Sequence, residues 1–255
     1  MVIDHRAGDL TCTVAASVPL EELQRVLAQG GQMLALDPPA DDDLTVGEVF
    51  DGGLFGPRAH RYGTPRDLVL GIHARLPGGE EVRGGGRVVK NVAGYDLPKL
   101  FTGAEGRLGE VLELTLRLHP LPASTCTLVT ALADPLPLEP FAPACVEVQW
   151  PDERMLVRFE SPVAAELARA AQELLGGDVV ADDEPLWDEH RRRQRGLHLH
   201  RCLPADGAAT VERLHGEGAS IVVGRWARGW LFADVPAAQR PLSELEQRVI
   251  ARFAA

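Results

Sequence analysis

An α+β protein of two domains is what the sequence predicts, and three observations carry that expectation. A period-two alternation of apolar residues between residues 108 and 118, broken at Glu110, marks a half-buried strand. Helical 3.6-residue periodicity recurs elsewhere without regular βαβ succession, which favours mostly antiparallel sheets with helices packed on them. The proline pair of Pro120-Leu121-Pro122 interrupts the chain near its middle, where a linker would fall.

From the N-terminus, Leu10 to Ala15 is short and rich in Thr and Val, a strand. Ser17 can cap a helix bearing Leu20, Leu23, Val26 and Leu27 on one face, and Gly30-Gly31 ends it. Met33 to Leu36 reads as a buried strand, which Asp37-Pro38-Pro39 must leave as a turn or extended segment because proline restricts its own backbone and its predecessor's. The acidic loop Asp41-Asp42-Asp43 follows. Residues 47 to 63 hold Gly47, Gly52, Gly53, Gly56 and Gly63 with little periodicity, and so read as loop. Leu68 to Leu76 and Glu81 to Arg83 form a hairpin turning at Pro77-Gly78-Gly79-Glu80. Asp96 caps a short helix that tolerates Pro98 in its first turn and stops at Gly103. The alternating strand then carries Leu108, Leu112, Leu114, Leu116 and Leu118, with Glu110 breaking the pattern.

Beyond Pro122, strands are expected at Thr125 to Ala131, Cys145 to Trp150 and Arg154 to Phe159, then a helix from Pro162 to Leu175 capped by Ser161. Further strands fall around Val179, His198 to Leu203, Ile221 and Leu231, and helices near Val211 to Glu217 and Leu242 to Phe253.

Composition narrows the function. The 255 residues are 45% hydrophobic and 25% charged, which suits a packed globular interior. A formal net charge of −11 argues against neutralising nucleic-acid phosphates or docking on anionic lipid, so small molecules or protein partners are expected and nucleic acid is not. Cys12, Cys126, Cys145 and Cys202 lie far apart with no C-x-x-C pair, the pattern of reduced buried thiols rather than a cluster or zinc site. His198 and His200 share a strand face but lack a third ligand, so no metal site is expected. No apolar run approaches the ~20 residues of a transmembrane helix, and a cytoplasmic protein, peripheral to the inner membrane at most through partners, is expected. Arg191-Arg192-Arg193-Gln194-Arg195 reads as a solvated helix face or a surface for an acidic partner. No Ser-His-Asp or Cys-His constellation nominates a catalytic residue.

Gly103, Gly106 and Gly109 are spaced G-x-x-G-x-x-G after a short helix and before a strand, which is not the Rossmann arrangement. A different ordered set is informative. Gly31-Gln32-Met33-Leu34-Ala35-Leu36-Asp37-Pro38-Pro39 is followed by Thr45-Val46-Gly47, Leu54-Phe55-Gly56-Pro57-Arg58 and Arg66-Asp67-Leu68-Val69-Leu70-Gly71. Val89-Lys90-Asn91-Val92-Ala93-Gly94-Tyr95-Asp96 and Gly106-Arg107-Leu108-Gly109-Glu110-Val111-Leu112-Glu113 complete it. Lys90 and Lys99, the only lysines of the chain, both fall there or just beyond. The set resembles the FAD-binding domain shared by vanillyl-alcohol oxidase and p-cresol methylhydroxylase, and within that family the smaller flavin subunit of glycolate oxidase.

The resemblance implies a domain of the p-cresol methylhydroxylase type over residues 1–122 and an α+β, ferredoxin-like cap or partner domain over 123–255. It implies FAD, held by backbone N–H groups donating to the diphosphate and ring system, because glycines let the main chain approach a ligand. The implied contacts are Pro39, Thr45, Val46, Gly47, Gly52, Gly53, Gly56, Tyr62, Gly63, Gly106, Gly109, Glu110 and Val111. Arg58, Arg61 and Arg66 would balance the diphosphate charge. Partners would be a larger FAD-containing glycolate oxidase subunit and an iron–sulfur subunit, and the substrate a small 2-hydroxy acid.

Two departures from the family qualify this. Only nine residues precede Leu10, so the family's first subdomain and its glycine-rich diphosphate loop are expected to be missing. Glu48 stands where the family has a second glycine, and Glu110 where it has valine or isoleucine; a carboxylate beside a diphosphate is repelled. Three readings follow: the FAD-binding subunit of a complex oxidising glycolate to glyoxylate, an assembly subunit that has lost flavin binding, or the FAD subunit of a molybdenum hydroxylase.

Overall fold

A computed structural model describes residues 2–39, 43–86, 96–237, 243–244, 247–248 and 250–251, with only the backbone of Val2 and Trp226. The chain divides into two compact units. One comprises Met1–Phe55, Gly63–Leu121 and Arg240–Ala255, the other Gly56–Tyr62 and Pro122–Gln239.

The first unit opens with β1 (Val2–Arg6) and β2 (Thr11–Ala15), followed by α1 (Leu20–Gln29). Its cap is Pro19 rather than Ser17: the extended backbone of Pro19 (ψ 136°) delays the first turn, and Glu21 and Glu22 then sit where the helix dipole favours anions. Leu23 and Leu27 are fully buried. Gly31 takes φ 67° beyond the last turn, a conformation costly to other residues. Strand β3 is confined to Gln32–Met33; Leu34 to Leu36 are buried but unladdered, and the carboxamide of Gln24 serves the carbonyls of Leu34 and Leu36 and the N–H of Leu34.

Residues 47 to 63 are not all loop, as their glycines suggest. They contain α2 (Val46–Asp51) and α3 (Ala59–Tyr62), the latter belonging to the second unit. The short helix α4 (Pro65–Leu68) follows, with Asp67 accepting from the N–H and hydroxyl of Thr64, and leads into β4 (Val69–Arg75). The expected hairpin brings back β5 (Glu81–Gly85). Asp96 accepts from the N–H of Lys99 at the start of α5 (Leu97–Phe101). Strand β6 (Glu110–Arg117) and β7 (His119–Pro120) complete the unit. Among the described residues the sheet order is β1-β2-β6-β4-β5, antiparallel throughout, with β3 and β7 paired separately. Leu114 and Leu116, 1% and 0% exposed, point into a core shared with Val14, Leu23, Leu27, Phe50 and Phe101. Alternation works here because each second residue of β6 faces the helices.

The second unit contains β8 (Thr125–Ala131), β9 (Cys145–Trp150), β10 (Arg154–Glu160), α6 (Ala164–Leu175), β11 (Asp178–Val180) and α7 (Glu184–Gln194). It closes with β12 (His198–Arg201), α8 (Gly207–Gly216), β13 (Val222–Arg225) and β14 (Trp230–Ala233). The N-cap of α6 is Val163; Ser161 accepts the N–H of Val163 one step earlier. The strand order is β11-β8-β10-β9-β13-β14-β12, all pairs antiparallel. Met155, Val157 and Phe159 face α6, while Leu156 faces Trp187 of α7, so helices cover both faces of the sheet. Most of the helix expected near residues 242–253 lies outside the described residues. Among those described, no helix is long and apolar enough to cross a membrane.

Candidate functional site

Thr45-x-x-Glu48 builds the start of α2. The Thr45 hydroxyl accepts the N–H of Glu48, and the Glu48 carboxylate accepts the N–H of Thr45 at 2.8 Å. This capping box satisfies two backbone donors reciprocally. The Thr45 N–H and hydroxyl hold the Glu48 carboxyl below the usual carboxylate range. The acidic residue that departs from the family is therefore the helix's own cap. Gly47 lies in the first turn against β2, where an added Cβ would come within 2.8 Å of the Ala16 Cβ.

The backbone donors expected to hold a diphosphate are engaged inside the protein. The N–H of Val46 donates to Val18 O, Gly47 to Ala16 O, Gly52 to Glu48 O, Gly53 to Phe50 O and Gly109 to Gly106 O. That of Gly106 donates to the Asp51 carboxylate at 3.0 Å. The glycines instead bring main chains together. At Gly53 (φ 60°) a Cβ would lie 3.3 Å from Gly103 Cα, and at Gly109 (φ 137°) it would lie 2.2 Å from Arg75 O. Gly63 takes φ 90° beside Asp67.

Glu110 is exposed and pairs with Arg75 at 2.9 Å, so it does not place a carboxylate in an apolar layer. Here β6 is laddered to β4 as far as Glu110, but its ladder to β2 ends at Glu113, extended by one bond from Ala16 N–H to Leu112 O. Among the described residues the backbone of Glu110 and Val111 thus pairs on one side only, a fit for a planar group lying along the strand. The set of N–H groups just described does not fit a diphosphate. Pro39 is partly buried next to residues 40–42, which lie outside the described residues, as do Lys90 to Tyr95.

Gly56 and Tyr62 belong to the second unit. The Tyr62 hydroxyl donates to Glu160 at 3.0 Å; burial, with that carboxylate close by, pushes the phenol well above its ordinary range. Arg58 pairs with the same carboxylate at 3.0 Å, and Arg61 donates to the Glu160 carbonyl. Of the arginines expected to balance a diphosphate, Arg58 is thus committed to an ion pair, Arg61 is positioned by a single bond to a carbonyl, and Arg66 is exposed.

The second unit holds charged groups that sequence reading missed. Arg158, 2% exposed, donates to Asp183 at 2.9 Å and Glu184 at 2.6 Å; Asp183 also accepts from Thr125 and Thr127, and the Trp187 indole donates to Thr127. Burial would raise the Glu184 carboxyl, but Arg158 and Arg191 hold it down to about 2. A second chain runs from Arg154 Nε to Gln149 Oε1, Gln149 Nε2 to His190 Nδ1, and His190 Nε2 to Glu147, whose other oxygen meets Arg225 at 2.6 Å. Arginine only donates, so Arg154 orients the Gln149 amide, and that amide fixes His190 with its proton on Nε2. Strand alternation on β8, β9 and β10 was the available signal: Thr127, Glu147, Gln149 and Arg158 occupy the face opposite the apolar one. These groups pair chiefly with one another, a scaffold rather than an acid–base centre. The Arg191–Arg193 run is likewise paired within α7 and its surroundings, to Glu184, Asp188, Glu189 and Asp152.

Residues 1–85 match the family described as FAD binding domain. In the solved alkyldihydroxyacetonephosphate synthase structure, a superposable region covers 91% of this chain and 59% of that one, with a TM-score of 0.70 at 14% identity. The fold is that of FAD-binding proteins of the p-cresol methylhydroxylase and vanillyl-alcohol oxidase type, and FAD is the cofactor of that family. The chain is similar to glycolate oxidase subunit GlcE of Escherichia coli (strain K12), 31% identical over 207 residues, 76% of this chain and 56% of that protein. It is also similar to glycolate oxidase subunit GlcD of Bacillus subtilis (strain 168), 37% identical over 128 residues, 50% of this chain and 27% of that protein. The chain thus spans little more than half of the first relative and about a quarter of the second.

Proposed function

We propose that the chain is the FAD-binding subunit of a glycolate oxidase assembly, which oxidises glycolate or a related 2-hydroxy acid to the 2-oxo acid and passes electrons to partner subunits. The observation that carries this reading is the reach of the similarity to GlcE: 207 residues, against the 85 that match the FAD binding domain alone. FAD would accept the hydride. This chain's contribution would be to hold the cofactor along the open backbone of Glu110 and Val111. A larger flavoprotein resembling GlcD and an iron–sulfur subunit are the partners proposed, in a cytoplasmic complex attached to the membrane at most through them.

A second reading, an assembly subunit without flavin, is favoured by one observation: the glycine N–H groups that should grip the diphosphate are used internally. The visible absorption spectrum separates the two. The chain purified alone and with its larger partner should show the flavin bands in at least one preparation, bleached by anaerobic glycolate in the complex. Colourless chain in both would leave the assembly reading.

A further inference from the structure

The second unit contains a cleft of about 890 Å³. All of its lining residues lie in that unit. Its charge is divided. His60 and Arg61 of α3 and Arg228 form one wall, and Asp134, just before a 3-10 turn at Leu136–Phe141, and Glu139, within that turn, form another. Leu136, Pro143, Val146 and Ala208 supply apolar lining between them.

The polar groups of the cationic wall are placed rather than loose. Arg228 donates through Nη2 to the His60 carbonyl, and Arg61 through Nη1 to the Glu160 carbonyl. A guanidinium carries five donors, so one bond fixes its position without exhausting it. His60 is kept uncharged at neutral pH: burial, then the nearby Arg228, lowers its imidazole to about 4. Its Nδ1 is buried without a hydrogen-bond partner among the described residues.

We propose that this cleft binds a monocarboxylate with an apolar body, its carboxylate held by Arg61 and Arg228 beside His60 and its hydrocarbon part lying on Leu136, Pro143 and Val146. The volume falls in the range of small-molecule sites, roughly 300–1,000 Å³, and exceeds what a two-carbon acid fills. The acidic wall sets the selectivity. A second carboxylate at the far end of the ligand would meet Asp134, whose Oδ1 already accepts the Leu136 N–H, and Glu139. Dicarboxylates are therefore disfavoured.

Isothermal titration of the full chain with hexanoate, hexanamide and adipate tests this. Hexanoate should bind, with hexanamide and adipate each weaker by about tenfold, the difference of one charge-assisted hydrogen bond. Arg228→Gln should weaken hexanoate by a similar factor. Ala208→Glu, on an exposed helix position that tolerates polar residues, should abolish the binding while far-UV circular dichroism stays unchanged. Hexanoate affinity that ignores both substitutions, or equal affinity for hexanamide, would overturn the assignment, as would the absence of any heat with hexanoate. Colourless protein that still binds hexanoate keeps this inference and loses the flavin reading. Yellow protein that ignores hexanoate does the reverse.

Discussion

Removing the Glu147 carboxylate should destabilise the second unit by about 4 kcal/mol. Glu147 and Arg225 are both 0% exposed, and their 2.6 Å contact is the ion pair that neutralises the guanidinium. Deleting one member of a buried pair leaves the other charge in a poorly solvating interior, which costs about 3–5 kcal/mol. The loss of the acceptor for His190 adds to the same cavity rather than as an independent quantity, so the sum stays near the middle of that range. For a unit of this size the midpoint of thermal unfolding should drop by on the order of 10 °C. All four tryptophans, Trp150, Trp187, Trp226 and Trp230, belong to the second unit, so their fluorescence in urea reports its unfolding without interference from the first. Glu147→Ala is the perturbing variant, and Glu147→Met with Arg225→Met is the control, because an apolar pair of similar volume is often no less stable than the ion pair it replaces. A loss below about 1 kcal/mol for Glu147→Ala, or a double variant no better than the single, would refute the electrostatic account.

Three further outcomes follow from the geometry. Glu48→Ala should lower the stability of the first unit by about 1 kcal/mol and Glu48→Gln by less, since the amide oxygen can still accept the Thr45 N–H; urea unfolding followed by far-UV circular dichroism measures both. Gly109→Ala should cost on the order of 3 kcal/mol by the same assay, because its Cβ would stand 2.2 Å from Arg75 O at a φ that alanine rarely adopts. Glu184, held at about 2 when folded against an ordinary value of 4.5, contributes stability that is complete above pH 4.5 and lost as pH falls toward 2. Its side chain is half exposed, so the contribution is screened to about 1 kcal/mol, and Glu184→Gln should flatten the decline of the tryptophan-monitored midpoint across that window.

What could be read from the sequence was what local physics decides. The β4–β5 hairpin announced itself through Pro77-Gly78-Gly79, and Gly79 takes φ 87° in the turn. The even-numbered leucines of β6 marked its buried face, and the apolar spacing of α1 and α6 marked their helices. The start of α1 was misplaced because Ser17 is a good cap only if the chain turns there, and Pro19 keeps it extended. Helix α2 was hidden by Gly47, Gly52 and Gly53, although Thr45-x-x-Glu48 is itself a helix-start signature. Glycine density suggests ligand approach, and at Gly47 against Ala16 and Gly109 against Arg75 it also permits close packing of main chain.

The buried charges were illegible for a different reason. Arg158 and Asp183 are 25 residues apart in sequence, and Glu147 and His190 are 43 apart. Each looks like an ordinary surface residue until its partner is placed. The same nonlocality explains why the acidic departures from the family invited a repulsion argument. Glu48 and Glu110 were weighed against an absent diphosphate, whereas each has a protein partner: the Thr45 backbone for the first and Arg75 for the second. A carboxylate already engaged by a donor within the chain carries no vote on whether an anion binds elsewhere. The engaged N–H groups of Val46, Gly47, Gly52, Gly53, Gly106 and Gly109 do, because a donor spent on a carbonyl or on Asp51 is not available to a phosphate without breaking that bond. The case for and against flavin in this chain therefore rests on backbone donors, not on the two glutamates.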